Sequence, residues 1–200
     1  MKKKIIMLED EDEDEDIEDD IIENNKIVMK KSIVLNEYHI NLDQDISSPE
    51  IYRNVFNTLR NAIEGEVIYL NINSFGGYIH SMIHFVDCLL TTKAKTVANI
   101  YTAYSAAAVI ALSCDILIFK PFSSLMVHSL STSTFGKIGD VHGYTTFASK
   151  QDKEIANIVY TGFLTKEEIK AVAKGKDMWM DREECIRRLK NWKSLKSRCL

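Results

Sequence analysis

From about residue 26 onward, short apolar runs of strand length alternate with stretches whose apolar residues recur at helical spacing, and this alternation constrains the fold most. The run "SIVL" (32–35) predicts a first strand followed by a polar loop. "SSPEIYRNVFNTLRNAIEG" then predicts a helix, with Ser48 as N-cap and Pro49 at its first position. Ile51, Val55, Phe56, Leu59, Ala62 and Ile63 form its apolar face, and Gly65 ends it. A strand over 66–72 runs into the paired glycines of "NINSFGG" (71–77). A second helix over roughly 78–91 carries Ile79, Met82, Ile83, Val86, Leu89 and Leu90 on its buried stripe. The strand "TVANIY" (96–101) leads to a small-residue helix over 105–112, and strands at 115–120 and 125–128 follow. The spacing of Val141, Tyr144, Phe147, Ile155, Ile158 and Val159 predicts a long helix from about 140 to 161. Thr165 and Glu168 form a capping box for a short helix, and a last helix covers about 181–192. Such alternation argues an α/β core built from β-β-α or β-α-β units.

Charge divides the chain differently. Residues 9–20, "EDEDEDEDIEDD", hold eleven carboxylates; removing them from the formal net charge of −4 leaves the remainder at +7. Residues 1–25 therefore read as an acidic, solvated, self-repelling tail, or as a propeptide or docking arm for a basic partner. Residues 26–200 read as one folded domain with ample length for a core. The apolar part of "MKKKIIMLED" is too short for a signal peptide, and no run approaches the roughly 18–20 residues of a membrane span. Cys88, Cys114, Cys185 and Cys199 show no C-x-x-C pairing, which fits reduced thiols in a soluble cytoplasmic protein. The basic C-terminal "RRLKNWKSLKSR" reads as a solvated helix end rather than a nucleic-acid surface.

Four places carry candidate chemistry. Gly76 and Gly77 end an apolar strand, either as a tight turn or as bare backbone against which a ligand can lie. Ser105 follows a strand and opens the helix of Ala106, Ala107 and Ala108. A serine there is by default an N-cap, but the position also suits a nucleophile beside the first N–H groups of a helix. His128 ends "LMVH", where it is either structural or a general base. Asp177 lies between "KGK" and the apolar "MWM", a place equally suited to an ordinary surface carboxylate. His80, His84 and Asp87 lie on one helix with spacing that permits a metal, but no fourth ligand is evident, and no metal or cofactor is expected.

Taken in order, "INSFGG" (72–77), "TAYSAAA" (102–108), "KPFSSLMVHSLS" (120–131) and "KDMWMDREECIRRL" (176–189) resemble the proteolytic subunits of the Clp protease family. Ser105 and His128 are 23 residues apart and His128 and Asp177 are 49 apart, close to that family's spacing. The resemblance covers about residues 32–190 and implies a Clp protease/crotonase-like β-β-α superhelix with a long handle helix. It implies Ser105 as nucleophile, His128 as general base and later acid, and Asp177 as the group orienting the imidazole. The N–H of Gly77, with Gly76 beside it, and that of Ala106 would form the oxyanion hole. It further implies polypeptide substrates, a heptameric ring or stacked rings, and an ATP-driven AAA+ unfoldase as partner, with the acidic segment near an axial pore. Phe75 replaces the loop proline, Tyr101 a glycine and Ala106 a methionine, while Gly175 and Lys176 stand where an Asp-Arg pair links two rings. Two other functions fit parts of the pattern. A crotonase-type acyl-CoA enzyme would use the glycine amides but not the ordered Ser, His and Asp, and a catalytically silent ring subunit would need none of the three.

Overall fold

The structure is a computed structural model that describes residues 34–199; the acidic segment 1–25 and the first half of the strand expected at 32–35 lie outside them. Five strands form one sheet in sequence order: β1 (Glu37–Leu42), β2 (Val67–Ser74), β3 (Lys95–Tyr104), β4 (Ile116–Val127) and β5 (Met178–Asp181). β1 to β4 run parallel, and β5 joins β4 antiparallel. The crossovers carry α1 (Arg53–Asn61), α2 (Ile79–Thr91) and α3 (Ala106–Leu112), while α4 (Ile138–Val159) and α5 (Lys166–Val172) lead from β4 to β5. α6 (Arg182–Arg188) and α7 (Leu195–Cys199) close the chain. This is the mixed α/β architecture with a long helix that the sequence implies.

The first strand lies later than expected, in the stretch read as a polar loop. Its inward positions Tyr38, Ile40 and Leu42 alternate with outward Glu37, His39 and Asn41, a short period-two pattern hidden among polar residues. Glu66 is buried and fixes its start, accepting from the Asn36 amide side chain at 2.6 Å and from the Ile63 N–H at 2.9 Å. The expected helix from Ser48 opens instead as a 3-10 turn over Pro49–Tyr52, and α1 stops at Asn61, before Gly65 takes its positive φ of 94°. Ile51 and Ile63 fall outside the regular helix and are 64% and 47% exposed, so only Phe56, Leu59 and Ala62 of the predicted face are buried. The two strands expected at 115–120 and 125–128 are one strand, bent where Phe122 adopts φ 62° and the register with β3 shifts.

The core lies between the sheet and the crossover helices. Ile68, Leu70 and Ile72 of β2 and Ala98 and Ile100 of β3 pack with Phe56, Met82, Phe85 and Leu89. α3 is buried on every side, which its small residues permit at close range. The opposite face of the sheet carries a ladder in which Asn99 donates to Asn71 at 3.0 Å and Asn71 to Asn41 at 2.9 Å. Tyr101, Ile116 and Ile118 stand exposed around it.

The basic C-terminal segment is not a solvated end. Arg188 forks onto Glu168 with two bonds of 2.8 Å and pairs with Glu184 at 2.7 Å. Lys196 reaches the carbonyls of Thr92 and Ala94 and the carboxylate of Asp115. Glu168 also completes the expected capping box with Thr165. The Arg188 fork pulls the Glu168 carboxyl down to about 2 from an ordinary 4.5. Because the folded pKa is depressed, the stabilisation is complete above pH 4.5 and is lost as pH falls toward 2. Glu168→Gln should lower stability at pH 7 by about 1.5–3 kcal/mol in urea denaturation. The gap between the two proteins should close as the pH is lowered from 4.5 to 2.5, whereas a gap constant with pH would assign the loss to packing instead.

Candidate active site

Three parallel strands deliver their C-terminal ends to one edge of the sheet. Ser74 ends β2 two residues before Gly76, Ser105 follows β3, and His128 follows β4. β5 runs the other way, so its beginning lies at the same edge. The register pairs Val127 with Met178 and Met126 with Trp179, and one further step sets Asp177 across from His128.

Ser105 is held by its backbone. Its N–H donates to the Met126 carbonyl at 2.9 Å, and its carbonyl accepts from the N–H groups of Ala108 and Val109. Its φ of 54° and ψ of −122° are strained for a residue with a Cβ, a cost of about 1–3 kcal/mol that clusters at functional sites. The chain thus makes a sharp strand-to-helix turn at Ser105, similar in course to a nucleophile elbow but without its flanking glycines. Ser105 occupies the expected N-cap position of α3, but its side chain makes no capping bond. Instead its Oγ lies 2.7 Å from His128 Nε2.

Gly76 packs directly against this turn, and Gly77 against the backbone of Ile46. Gly76 has φ 100°, and a Cβ on it would sit 2.7 Å from both the Ser105 Cβ and the Tyr104 carbonyl oxygen, and 2.9 Å from the Ala106 nitrogen. Gly77 has φ 145°, and its Cβ would meet the Ile46 carbonyl oxygen at 2.2 Å. Ile46 staples the loop: its N–H donates to the Gly76 carbonyl at 2.7 Å, and its carbonyl accepts from the Tyr78 N–H at 2.8 Å. Gly77 therefore faces the other way, with its N–H and carbonyl unpaired among the described residues. The Gly76 N–H is drawn to the buried Ser74 hydroxyl at 3.2 Å. The Ala106 N–H, first in α3, has no intrahelical acceptor. Two backbone donors thus remain free beside the Ser105 turn.

Asp177 is exposed, and its carboxylate makes no hydrogen bond to His128 or to any other described residue. Ser105, His128, Gly76, Gly77 and Ala106 are therefore brought together, and Asp177 is adjacent but unbonded. Phe75, Tyr104 and Trp179 add an aromatic strip at the same edge, with ring centroids 5.6 Å and 5.0 Å apart along it. Three contributors left no motif in the sequence. Ile46 acts through its backbone alone, Ser74 sits unmarked within the glycine segment, and Asp152 of α4 accepts the Leu130 N–H at 2.9 Å across 22 residues.

The other candidate chemistry disperses. The His84 ring stacks on Phe56 and meets Arg60, and burial followed by the Arg60 charge lowers its pKa. Among the described residues no three His, Cys, Asp or Glu side chains converge as a metal site would need. Cys88, Cys114 and Cys185 are buried thiols, and burial pushes each pKa up, that of Cys185 to about 12, so none supplies a thiolate. No helix among the described residues is long and apolar enough to cross a membrane.

A search of curated proteins finds none that matches the chain. The sequence profile of the Clp protease family, by contrast, matches residues 22–188. That span includes every strand and all the residues gathered at the sheet edge. With most of its length matched and the fold in agreement, the chain belongs to the Clp protease family.

Proposed function

We propose that the protein is a serine endopeptidase that cuts unfolded polypeptides, with Ser105, His128 and Asp177 as its triad. The observation that carries this reading is the 2.7 Å contact between Ser105 Oγ and His128 Nε2 on a strained turn beside two free N–H donors. For the serine to donate in that contact, Nε2 must be unprotonated and the ring proton must sit on Nδ1. His128 then takes the hydroxyl proton as Oγ attacks the scissile carbonyl carbon. The N–H groups of Gly77 and Ala106 stabilise the oxyanion, and the imidazolium returns its proton to the leaving amine. Water repeats the sequence to free the acyl group. The carboxylate of Asp177, one register step across, turns onto the Nδ1–H and holds the imidazole in that tautomer. Backbone pairing with the glycine segment gives affinity with little side-chain selection, as a peptidase for many unfolded sequences requires.

One observation favours a second reading. The missing bond between Asp177 and His128 would suit a ring subunit that has lost catalysis. Peptide turnover separates the two. Ser105→Ala and His128→Ala should each lower it by about 1,000-fold or more, and the double variant should be little worse than either. Gly76→Ala should abolish turnover because its methyl enters the Ser105 turn, while Gly143→Ala, where an added Cβ meets nothing within 4 Å, should leave it unchanged. Full activity in His128→Ala would end the triad assignment, and an inactive wild type would favour the silent subunit.

The same reading includes a ring-forming homo-oligomer, fed by an ATP-driven unfoldase. Parallel sheets are ordinarily covered on both faces, yet among the described residues the face bearing Tyr101, Ile116 and Ile118 is open. A neighbouring copy laid there would bury it. Light scattering should give a mass several times 22.9 kDa for the wild type, and Ile118→Glu should reduce it without unfolding the chain. An active monomer would contradict the assembly.

A further inference from the structure

α1 and α2 border an open pocket of about 380 Å³. Arg53, Asn57 and Arg60 line it from α1, at the i, i+4, i+7 spacing that puts three side chains on one stripe of a helix. His84 lines it from α2, and its ring is stacked on the buried Phe56 with centroids 3.7 Å apart, which fixes the imidazole in place. The one carboxylate in the lining, Glu50, is engaged by the Ser48 hydroxyl, and Arg53 acts on it through charge alone. Neither arginine has a carboxylate within ion-pair distance among the described residues. Arg60 meets His84 Nε2 instead. A guanidinium can only donate, so in that contact Nε2 accepts, the ring proton sits on Nδ1 and the imidazole is neutral. The planar fork that suits a carboxylate or a phosphate is left without either.

Protonation of His84 changes what this pocket offers. An imidazolium has no lone pair and cannot accept from Arg60, so both groups then turn N–H donors and positive charge toward the same space. Arg53 and the Asn57 amide stand beside them. An oxyanion that accepts from Arg60 and His84 together replaces a repulsion with two charge-assisted bonds. We propose that Arg53, Asn57, Arg60 and His84 form a binding site for a phosphate-sized oxyanion, and that protonation of His84 tightens it. The site is separate from the edge that carries Ser105 and does not depend on the peptidase reading. Burial first and the Arg60 charge second hold the His84 pKa below its ordinary 6.5, while Asp87, three residues on along α2, acts the other way. Anion and proton favour each other's binding, so affinity rises as the pH falls through that pKa.

The test is titration calorimetry of the full-length protein with sulfate, which stays doubly charged between about pH 5.5 and pH 8, so that a change in affinity belongs to the protein. Wild type should bind one sulfate per chain, about tenfold more tightly at the lower pH. Arg60→Gln should weaken binding there by about tenfold, the scale of one lost charge-assisted bond, and Arg53→Gln should weaken it in the same direction. His84→Gln keeps a side-chain donor but does not titrate, and its affinity should be the same at both pH values. Lys170→Gln removes an equal charge from α5, outside the pocket, and should match wild type. Inorganic phosphate and a capped phosphoserine, compared at the lower pH, identify the source: tighter binding of phosphate assigns a free ion, and equal or tighter binding of the phosphoserine assigns a phosphoryl group on a polypeptide. Absence of sulfate binding at the lower pH, wild-type affinity that does not change with pH, a pH dependence retained in His84→Gln, or equal losses in Arg60→Gln and Lys170→Gln would each overturn the proposal.

Discussion

The close approach of two backbone turns is the constraint on which the site depends. The loop after β2 and the turn after β3 meet with no room for a side chain between them, because any Cβ at Gly76 would lie within 2.7 Å of the Ser105 Cβ. That contact exists because β2 and β3 are adjacent parallel strands and end at the same level. Parallel pairing brings successive strand ends to one edge, where open α/β sheets place their ligands. The antiparallel β5 adds a residue from its own beginning, Asp177, to the same edge. Four chain segments far apart in sequence are thus neighbours for a topological reason, before any side chain is considered.

The distribution of polar groups follows from this arrangement. Groups that a globular domain must satisfy are satisfied away from the site: Glu66 holds the start of β1, Glu168 and Arg188 lock α5 to α6, and Lys196 ties the end of the chain to the β3 side of the sheet. At the edge itself the opposite holds. The N–H groups of Gly77 and Ala106 and the backbone of Ser129 and Ser131 are left unpaired, and the Ser105 turn is strained. Unpaired donors and a strained serine beside a histidine are costs that a purely structural edge would have no reason to keep. Cys88, Cys114 and Cys185 are buried away from this edge, where the Ser105 hydroxyl lies beside His128.

Much of this was legible in the sequence where local pattern and tertiary role agree. β2, α2, β3 and α3 carry strong apolar runs; Ser105 lies between β3 and α3, His128 directly after β4 and Asp177 directly before β5, and the ordered motifs around them singled the three out together. The departures arise where tertiary contacts decide. β1 is polar at alternate positions, so its three inward residues look like a loop until β2 is beside them. The bend at Phe122 needs a positive φ that a phenylalanine does not announce, and α7 is a single short turn held by Leu195 and Lys196. Ile46 acts over distance through its backbone and Asp152 through a carboxylate that accepts a backbone N–H, and neither leaves a spacing signal. Ser105 holds the expected N-cap position, but its hydroxyl meets His128, 23 residues away, instead of capping the helix.

The most direct measurement is to treat the purified protein with a fluorophosphonate and locate the modified residue by mass spectrometry. A serine made nucleophilic by His128 should be labelled alone among the serines of the chain, at Ser105, and labelling should vanish in Ser105→Ala and in His128→Ala. No labelling of the wild type, or labelling that persists in Ser105→Ala, would contradict the assignment of Ser105 as the nucleophile.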